Sequence, residues 1–372
     1  MPIELIGMIR TNDRSEIHGP ADAIREDVVD LGFLRDFARA HEAGGFDRVL
    51  IGYHSTSPDG LAVAASAAAA TERLGMLIAH RPGFLAPTVA ARAAVTLDHL
   101  TGGRVALHLI SGGSDAEQRK DGDWVDKDAR YRRTDEFLDV VTRVWASDEP
   151  FDHAGEFYRV AGAFSDVKPL QRPRIPIFFG GASGAAIPVG AKHADVYMLW
   201  GEPIAAVRER MAEVRAALPP GRAIRFSVSL RLILGETEEA AWAKAAGYLD
   251  RIVAHRDGRR MIPDGARPQA AGSQRLLDFA AAKEIHDTRL WTPIAAATGA
   301  GGNTTALVGT PEQVAESILD YYDAGVSAIL VRGFEPLADA VAYGRDVIPL
   351  VRAGVAERDA ASADAQPALA RR

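Results

Sequence analysis

The sequence predicts an α/β protein built as a closed (β/α)8 barrel, and three observations carry that reading. Eight short apolar or β-branched runs recur along the chain. A stretch of helical period separates successive runs, as parallel strands joined by crossover helices require. No Rossmann-type reversal interrupts the alternation, which favours closure over an open, doubly wound sheet.

The elements follow in order. IELIGMI from Ile3 precedes a helical stretch over 31–43, RVLIG from Arg48 one over 60–73, and LGMLIAH from Leu74 one over 88–100. RVALHLI from Arg104 leads into 129–145, PIFFGG from Pro176 into 185–193, and VYMLW from Val196 into 205–217. RFSVSLRLIL from Arg225 precedes 238–254, and a last stretch over 312–324 leads to AILVRG from Ala328. Two departures stand out. Residues 149–176 alternate like a hairpin and then break on prolines, and 251–301 are far longer than a βα loop needs to be. Both read as insertions in one domain spanning 1–356, with 357–372, rich in Ala, Asp and Arg, as a flexible tail.

Composition narrows the partners. With 47% hydrophobic and 25% charged residues among 372, the chain has the profile of a globular protein with a sizeable core. A net charge of −7 without a lysine/arginine cluster gives no footprint for nucleic acid or an anionic membrane. The absence of cysteine excludes disulfides, thiolate nucleophiles and cysteine-ligated metals. The first residues carry no signal-peptide pattern and no run reaches a membrane span, so a cytoplasmic location is expected.

In such a barrel the active site lies past the C-terminal ends of the strands. The residues there include Arg10, Thr11 and Asn12, then Gly52, Tyr53 and His54, then His80 and Arg81. They continue with 111–114, 180–183, Trp200, Ser229, Arg231 and Arg332. Several arginines converge on one mouth, which suits an anionic ligand, because guanidinium presents a fixed fork of donors. The alternative is that they pair with Asp59, Asp115, Glu117 and Glu335 at the rim. FFGGASGAA runs from strand into helix, and the N–H groups of Ala182, Ser183 and Gly184 there would suit a phosphate. It is neither a P-loop nor a GxGxxG fingerprint. The ten histidines show no strand HxH and no HExxH, so no metal site is expected, and no GxSxG elbow occurs.

One long string, HRPGFLAPTVAARAAVTLDHLTGGRVALHLISGGSDAEQRKDGDWVDKDARYRRTDEFLDVVTRVW from His80, resembles the bacterial luciferase-like flavin monooxygenases, and specifically their alkanesulfonate monooxygenase branch. The resemblance continues through IPIFFGGAS, ADVYMLWGEP, IRFSV and TALVGTPEQVAESILDYYDAGVSAILVRGF, and is weak over 235–287 and in the first strand. It implies a luciferase-like barrel that takes reduced FMN from a separate NAD(P)H-dependent flavin reductase and uses O2 to oxygenate its substrate. For an alkanesulfonate, C–S cleavage then releases sulfite and an aldehyde. Homodimers or homotetramers are usual in the family.

Position by position, the resemblance implies that His108 and Ser111 face the isoalloxazine edge, that Arg130 and Tyr131 meet the flavin phosphate, and that Gly181, Ala182 and Ser183 form the phosphate turn. The Ala79–His80 bond matches a β-bulge behind the flavin that is often a non-prolyl cis peptide, so His80 joins the expected cofactor set. Trp200 and Asp59 match residues shared with the sulfonate enzymes. The substrate side departs from that branch. Ser57 stands where the family has cysteine, Asn12 lies near its histidine, Ser229 replaces arginine, Arg231 replaces histidine and Phe334 replaces tyrosine. The mobile-loop arginine has no match in TPIAAATGAGGN. Arg10, Arg231 and Arg332 are candidates to restore the positive charge, and His54 becomes the expected acid/base. The expected catalytic set is therefore His54, Arg231 and Ser57, with Arg10, Asn12, Trp200, Ser229 and Arg332 contacting a small anionic organosulfur substrate. The rival readings are a deazaflavin-dependent dehydrogenase of the same superfamily and a non-catalytic flavin-binding relative. The long insertion is expected to order over the site as a lid.

Overall fold

A computed structural model describes residues 3–16, 28–256 and 267–369. Eight parallel strands close into a ring: β1 (Glu4–Ile9), β2 (Arg48–Ile51), β3 (Gly75–His80), β4 (Val105–Ile110), β5 (Ile177–Gly180), β6 (Val196–Trp200), β7 (Arg225–Leu234) and β8 (Ala328–Arg332). Each pairs with the next, and β8 returns to β1 through Glu4↔Ala328. The eight runs read from the sequence are these eight strands.

Period-2 alternation divides the core into two layers. Ile6, Leu77, Ala106, Phe178, Met198 and Leu330 fill the lumen. Their neighbours along the strands, such as Leu5, Ile78, Leu107, Phe179 and Leu199, pack outward against the helices. The outer ring consists of α1 (Leu31–Ala43), α2 (Gly60–Ala68), α3 (Pro87–Leu100), α4 (Lys127–Ala146), α5 (Ala186–His193), α6 (Ile204–Ala216), α7 (Glu238–Arg256), α8 (Ala271–Ala282), α9 (Pro311–Asp323), α10 (Pro336–Asp346) and α11 (Ile348–Leu369). Asp30 and Asp59 cap α1 and α2, accepting from Phe33 N and Ala62 N. Helix α2 stops short of the predicted residue 73 because Glu42 Oε1 takes the N–H groups of Glu72, Arg73 and Leu74 at 2.9, 2.6 and 3.0 Å. Those donors are thereby lost to a continuing helix.

The insertions have structure. Strands Phe151–Ala154 and Arg159–Ala163 form an antiparallel hairpin. Between β7 and β8 the chain adds Ala306–Gly309, which pairs in parallel with β7 from Arg231 onward, and two short antiparallel strands beside it, Leu290–Trp291 and Ile285–His286. Helix α11 runs across the boundary expected at residue 357. Residues 257–266 of the expected lid lie outside the described residues. Among the described residues no helix is long and apolar enough to cross a membrane.

Candidate active site

Strand parity decides which predicted residues reach the lumen. Arg10, Gly52, Ala79, His108, Gly180, Trp200, Ser229, Arg231 and Arg332 share the parity of the lumen-filling residues and form its upper wall. His80 and Ser111 have the opposite parity. The His80 ring stacks on Phe137 of α4 with centroids 5.3 Å apart, and Ser111 Oγ lies 2.9 Å from Thr134 Oγ1 of the same helix. The Ala79–His80 peptide is trans and pairs in regular register with His108–Leu109, so the expected bulge and cis bond are not present.

The three lumen arginines do converge, though onto protein. Glu16, fully buried, accepts from Arg10 Nη1 at 3.2 Å, from Arg231 Nη2 at 2.6 Å and from Arg332 Nε at 2.9 Å. Burial alone would raise its carboxyl, but Arg332, Arg231 and Arg10 outweigh burial and hold it at about 2. Sequence reading missed Glu16 because it lies in an unpatterned loop, RTNDRSE, and two of its three arginine partners are hundreds of residues away. The rim alternative holds elsewhere: Glu117 pairs with Arg81 at 2.5 Å and Asp115 with Arg130 at 2.8 Å. Glu335 instead accepts from Ser15 Oγ, and Asp59 is the α2 cap.

Arg130 does not present its charge to a ligand here. Its Nε donates to Ser111 O at 2.9 Å, Nη1 to Val125 O at 2.6 Å and Nη2 to Asp115, and its side chain is 2% exposed. It braces the turn after β4. Gly112 in that turn has φ +84°, and a Cβ there would lie 2.4 Å from the Gln118 carboxamide, so both conformation and space require glycine. Gln118 continues a buried chain: it accepts from Arg81 at 2.7 Å and donates to Asp123 at 3.1 Å, which pairs with Arg133 at 2.6 Å.

The β4–β5 side has unused hydrogen-bonding capacity. His108 Nδ1 and Nε2 are buried and have no partner among the described residues, and burial alone takes the ring down to about 4. A Cβ on Gly180 would lie 2.7 Å from His108 Nε2, and one on Gly181 2.7 Å from Ala186 Cβ and 3.2 Å from the Tyr131 hydroxyl. Gly180 and Gly181 thus admit no side chain, and the turn through Ala182 and Ser183 passes close against His108, Tyr131 and the start of α5. An uncompensated buried imidazole costs on the order of 1–3 kcal/mol. Together with this cradle it fits a polar, phosphate-bearing ligand such as FMN.

Part of the insertion covers this side. Gln269 exchanges hydrogen bonds with Asp115, accepting from its N–H at 2.8 Å and donating to Oδ2 at 3.2 Å, and its carbonyl accepts from Lys127 Nζ at 3.2 Å. At the start of α8 a Cβ on Gly272 would meet the Trp200 ring at 3.5 Å and Ala182 Cβ at 3.7 Å. Arg275 then grips Glu202 through both carboxylate oxygens at 2.7 and 2.6 Å.

On the opposite side a cavity of about 140 Å³ opens between the ends of β1, β2 and β8, lined by Met8, Arg10, Tyr53, His54, Ser57 and Arg332. His54 Nδ1 lies 2.9 Å from Thr56 Oγ1 and Nε2 lies 3.7 Å from Glu117 Oε1. Burial lowers the imidazole, Glu117 pulls it back up, and Arg81 lowers it further, with a net lowering. Asn12 is spent on its own loop, with Oδ1 accepting from Arg14 N at 3.2 Å. Ser229 sits in the lumen wall between Trp200 and Leu330. Asn303 and Thr305, missed in the sequence, bury side-chain polar atoms without partners among the described residues, beside Arg231, whose Nε donates to Asn303 O.

A closed parallel barrel with its polar groups gathered at the carboxyl ends of the strands is the architecture of a barrel enzyme. The chain belongs to the luciferase-like monooxygenase family, whose pattern it matches over residues 6–328. Among solved structures it is similar to a riboflavin lyase, RcaE, with modified FMN and riboflavin (TM-score 0.77, 20% identity, 95% of this chain and 92% of that one). It is also similar to the EDTA monooxygenase EmoA from Chelativorans sp. BNC1 (TM-score 0.74, 18% identity, 95% and 94% covered). A third is DmoA from Hyphomicrobium sulfonivorans (TM-score 0.73, 22% identity, 95% and 88% covered).

Proposed function

We propose that the chain is the oxygenase of a two-component system, taking reduced FMN from a separate NAD(P)H-dependent reductase and using O2 to oxygenate a small anionic organosulfur compound of the alkanesulfonate type. The observation that carries the flavin reading is the pair of unpartnered His108 ring nitrogens beside the glycine turn at Gly180–Ser183. His108 would meet the ring system. The Tyr131 and Ser183 hydroxyls and the amides entering α5 would hold the phosphate, with Arg130 keeping the neighbouring turn in shape. Bound reduced FMN would supply the two electrons that activate O2.

The residues of this chain do the rest. A cavity near 140 Å³ accommodates about six heavy atoms, judged from a cavity of similar size that holds benzene. Arg10 and Arg332 line it, which supports an anionic head group, and His54, on the same cavity, would move a proton at the substrate carbon. Segment 267–275, joined to the barrel through Gln269 and Arg275, would exclude water from the flavin side. For an alkanesulfonate the balance is one oxygen atom to the aldehyde and one to water, as reduced FMN is oxidised and hydrogen sulfite leaves.

The test is anaerobic titration with reduced FMN and with a reduced deazaflavin, followed by O2 and a panel of C1–C4 sulfonates with sulfite detection. Tighter FMN binding that is lost in His108→Ala, with sulfite release, is expected. Tighter deazaflavin binding would establish the dehydrogenase reading instead. FMN binding without any reaction with O2 would establish the non-catalytic one.

A further inference from the structure

We infer that Arg10, Arg231 and Arg332 form an oxyanion cage in which the Glu16 carboxylate holds the place of a ligand's single carboxylate or sulfonate group. The inference rests on the anionic-substrate reading above and adds what now occupies the site. Three guanidiniums from three neighbouring strand ends, β7, β8 and β1, surround one pair of oxygens: Oε1 takes Arg332 Nε and Arg10 Nη1, and Oε2 takes Arg231 Nη2. A carboxylate, and a sulfonate through two of its three oxygens, both present a pair of oxygens that share negative charge, and the guanidinium fork matches that pair.

Two of the three arginines do not depend on Glu16 for their placement, whereas the hydrogen bonds of Arg332 among the described residues all go to Glu16. Arg231 Nε donates to Asn303 O at 2.8 Å, its Nη1 donates to Gly333 O, and its guanidinium lies 4.4 Å from the centre of the Phe334 ring. Arg10 Nη1 also donates to Arg14 O at 3.1 Å. Nor does segment 11–16 depend on the Glu16 side chain, since Glu16 N donates to Phe334 O at 2.6 Å and Ser15 Oγ to Glu335 at 2.8 Å. Removing the carboxylate therefore leaves a positively charged recess in which Arg231 and Arg10 keep their other bonds and Arg332 is released to meet an incoming oxyanion. Arg10 and Arg332 stand between the cavity beside His54 and the small void that reaches Glu16, so an oxyanion in that cavity meets two of the three arginines directly. A tethered carboxylate competes at an effective concentration of millimolar or more, so a free oxyanion binds the wild-type cage only in competition with Glu16.

The test uses the full, flavin-free chain at neutral pH. Thermal midpoints of wild type, Glu16→Ala, Glu16→Gln and Glu16→Ala/Arg332→Met are followed against methanesulfonate, acetate and, at matched ionic strength, chloride. Glu16→Ala is expected to gain a saturable rise in midpoint with methanesulfonate or acetate. Half-saturation should fall at a concentration at least tenfold below that of wild type, with no equivalent for chloride and no rise in the double variant. The two oxyanions distinguish a sulfonate site from a carboxylate site. A response of Glu16→Ala no larger than its response to chloride overturns the inference. If that variant accumulates unfolded, recovery on refolding in either oxyanion counts for the cage, and failure there and in Glu16→Gln counts against it. FMN titration of wild type is read separately, so loss of the flavin reading leaves the oxyanion result standing.

Discussion

Neutralising Glu16 by Glu16→Gln should remove a defined part of the pH dependence of stability. The carboxyl sits at about 2 in the folded protein against an ordinary 4.5, because three guanidiniums overcome the opposing effect of burial. Its folded value is depressed, so its contribution is complete above pH 4.5 and is lost as pH falls toward 2. In that window the unfolded chain binds a proton that the folded chain refuses. At about 1.4 kcal/mol for each tenfold difference in proton affinity between the two states, the full contribution is about 3 kcal/mol, of which about 2 kcal/mol is lost by about pH 3. At neutral pH the glutamine variant takes the Glu16 charge from two buried guanidiniums and the partly exposed Arg332, at a cost of about 3–5 kcal/mol. Urea unfolding followed by tryptophan fluorescence, from about pH 3 to pH 7, would show a gap between the two proteins that narrows by about 2 kcal/mol on acidification. Other carboxylates titrate in the same range but are common to both proteins. A gap that stays constant across the range would refute the assignment of that proton linkage to Glu16.

Glu117→Gln removes the group that raises His54, so the imidazole, already lowered by burial, should titrate lower still and carry less proton at pH 7; His Cε1–H shifts in an NMR titration measure this, and an unchanged His54 midpoint would separate the two residues. Gly181→Val places side-chain carbon where Ala186 and the Tyr131 hydroxyl already stand, and FMN affinity by fluorescence quenching should fall at least tenfold with the barrel still folded. Arg130→Met abandons the Ser111 and Val125 carbonyls and the Asp115 carboxylate, and should cost about 2–4 kcal/mol in urea unfolding. Arg275→Ala releases α8 from Glu202, so amide exchange in Ala271–Ala282 should quicken about tenfold while that of β3 and β4 stays constant.

The barrel was legible because a parallel strand buried on both faces reads as a nearly continuous apolar run, and all eight runs lie where the strands lie. The site was legible only as a set of addresses. Choosing residues just past each strand ignored parity, which sends His80 and Ser111 outward to Phe137 and Thr134 and His108 inward. The arginines were found but not their partner, since nothing in RTNDRSE marks Glu16 as the point where β1, β7 and β8 meet. Arg130 illustrates the same difficulty: a guanidinium with carbonyl and carboxylate acceptors in reach is satisfied internally, and those acceptors come together only in the folded turn. The insertion was least legible because its strands are two to four residues long, too short for a periodicity to register.

Strand β7 exchanges neighbours partway along its length. Along one edge Arg225–Ser229 bond to β6, and from Arg231 onward the same edge bonds to Ala306–Gly309. Arg231 is therefore paired with Arg332 on one side and Ala306 on the other, at the joint between barrel and insertion. The insertion is thus held in register by the strand that carries Arg231. A one-residue change in length between Trp291 and Ala306 must be absorbed within that short stretch or slide Ala306–Gly309 along β7, turning Thr305 away from Gly201 and moving Asn303 off Arg231. Length variation is consequently costly between Trp291 and Ala306, which makes the second half of the insertion a structural part of the barrel mouth.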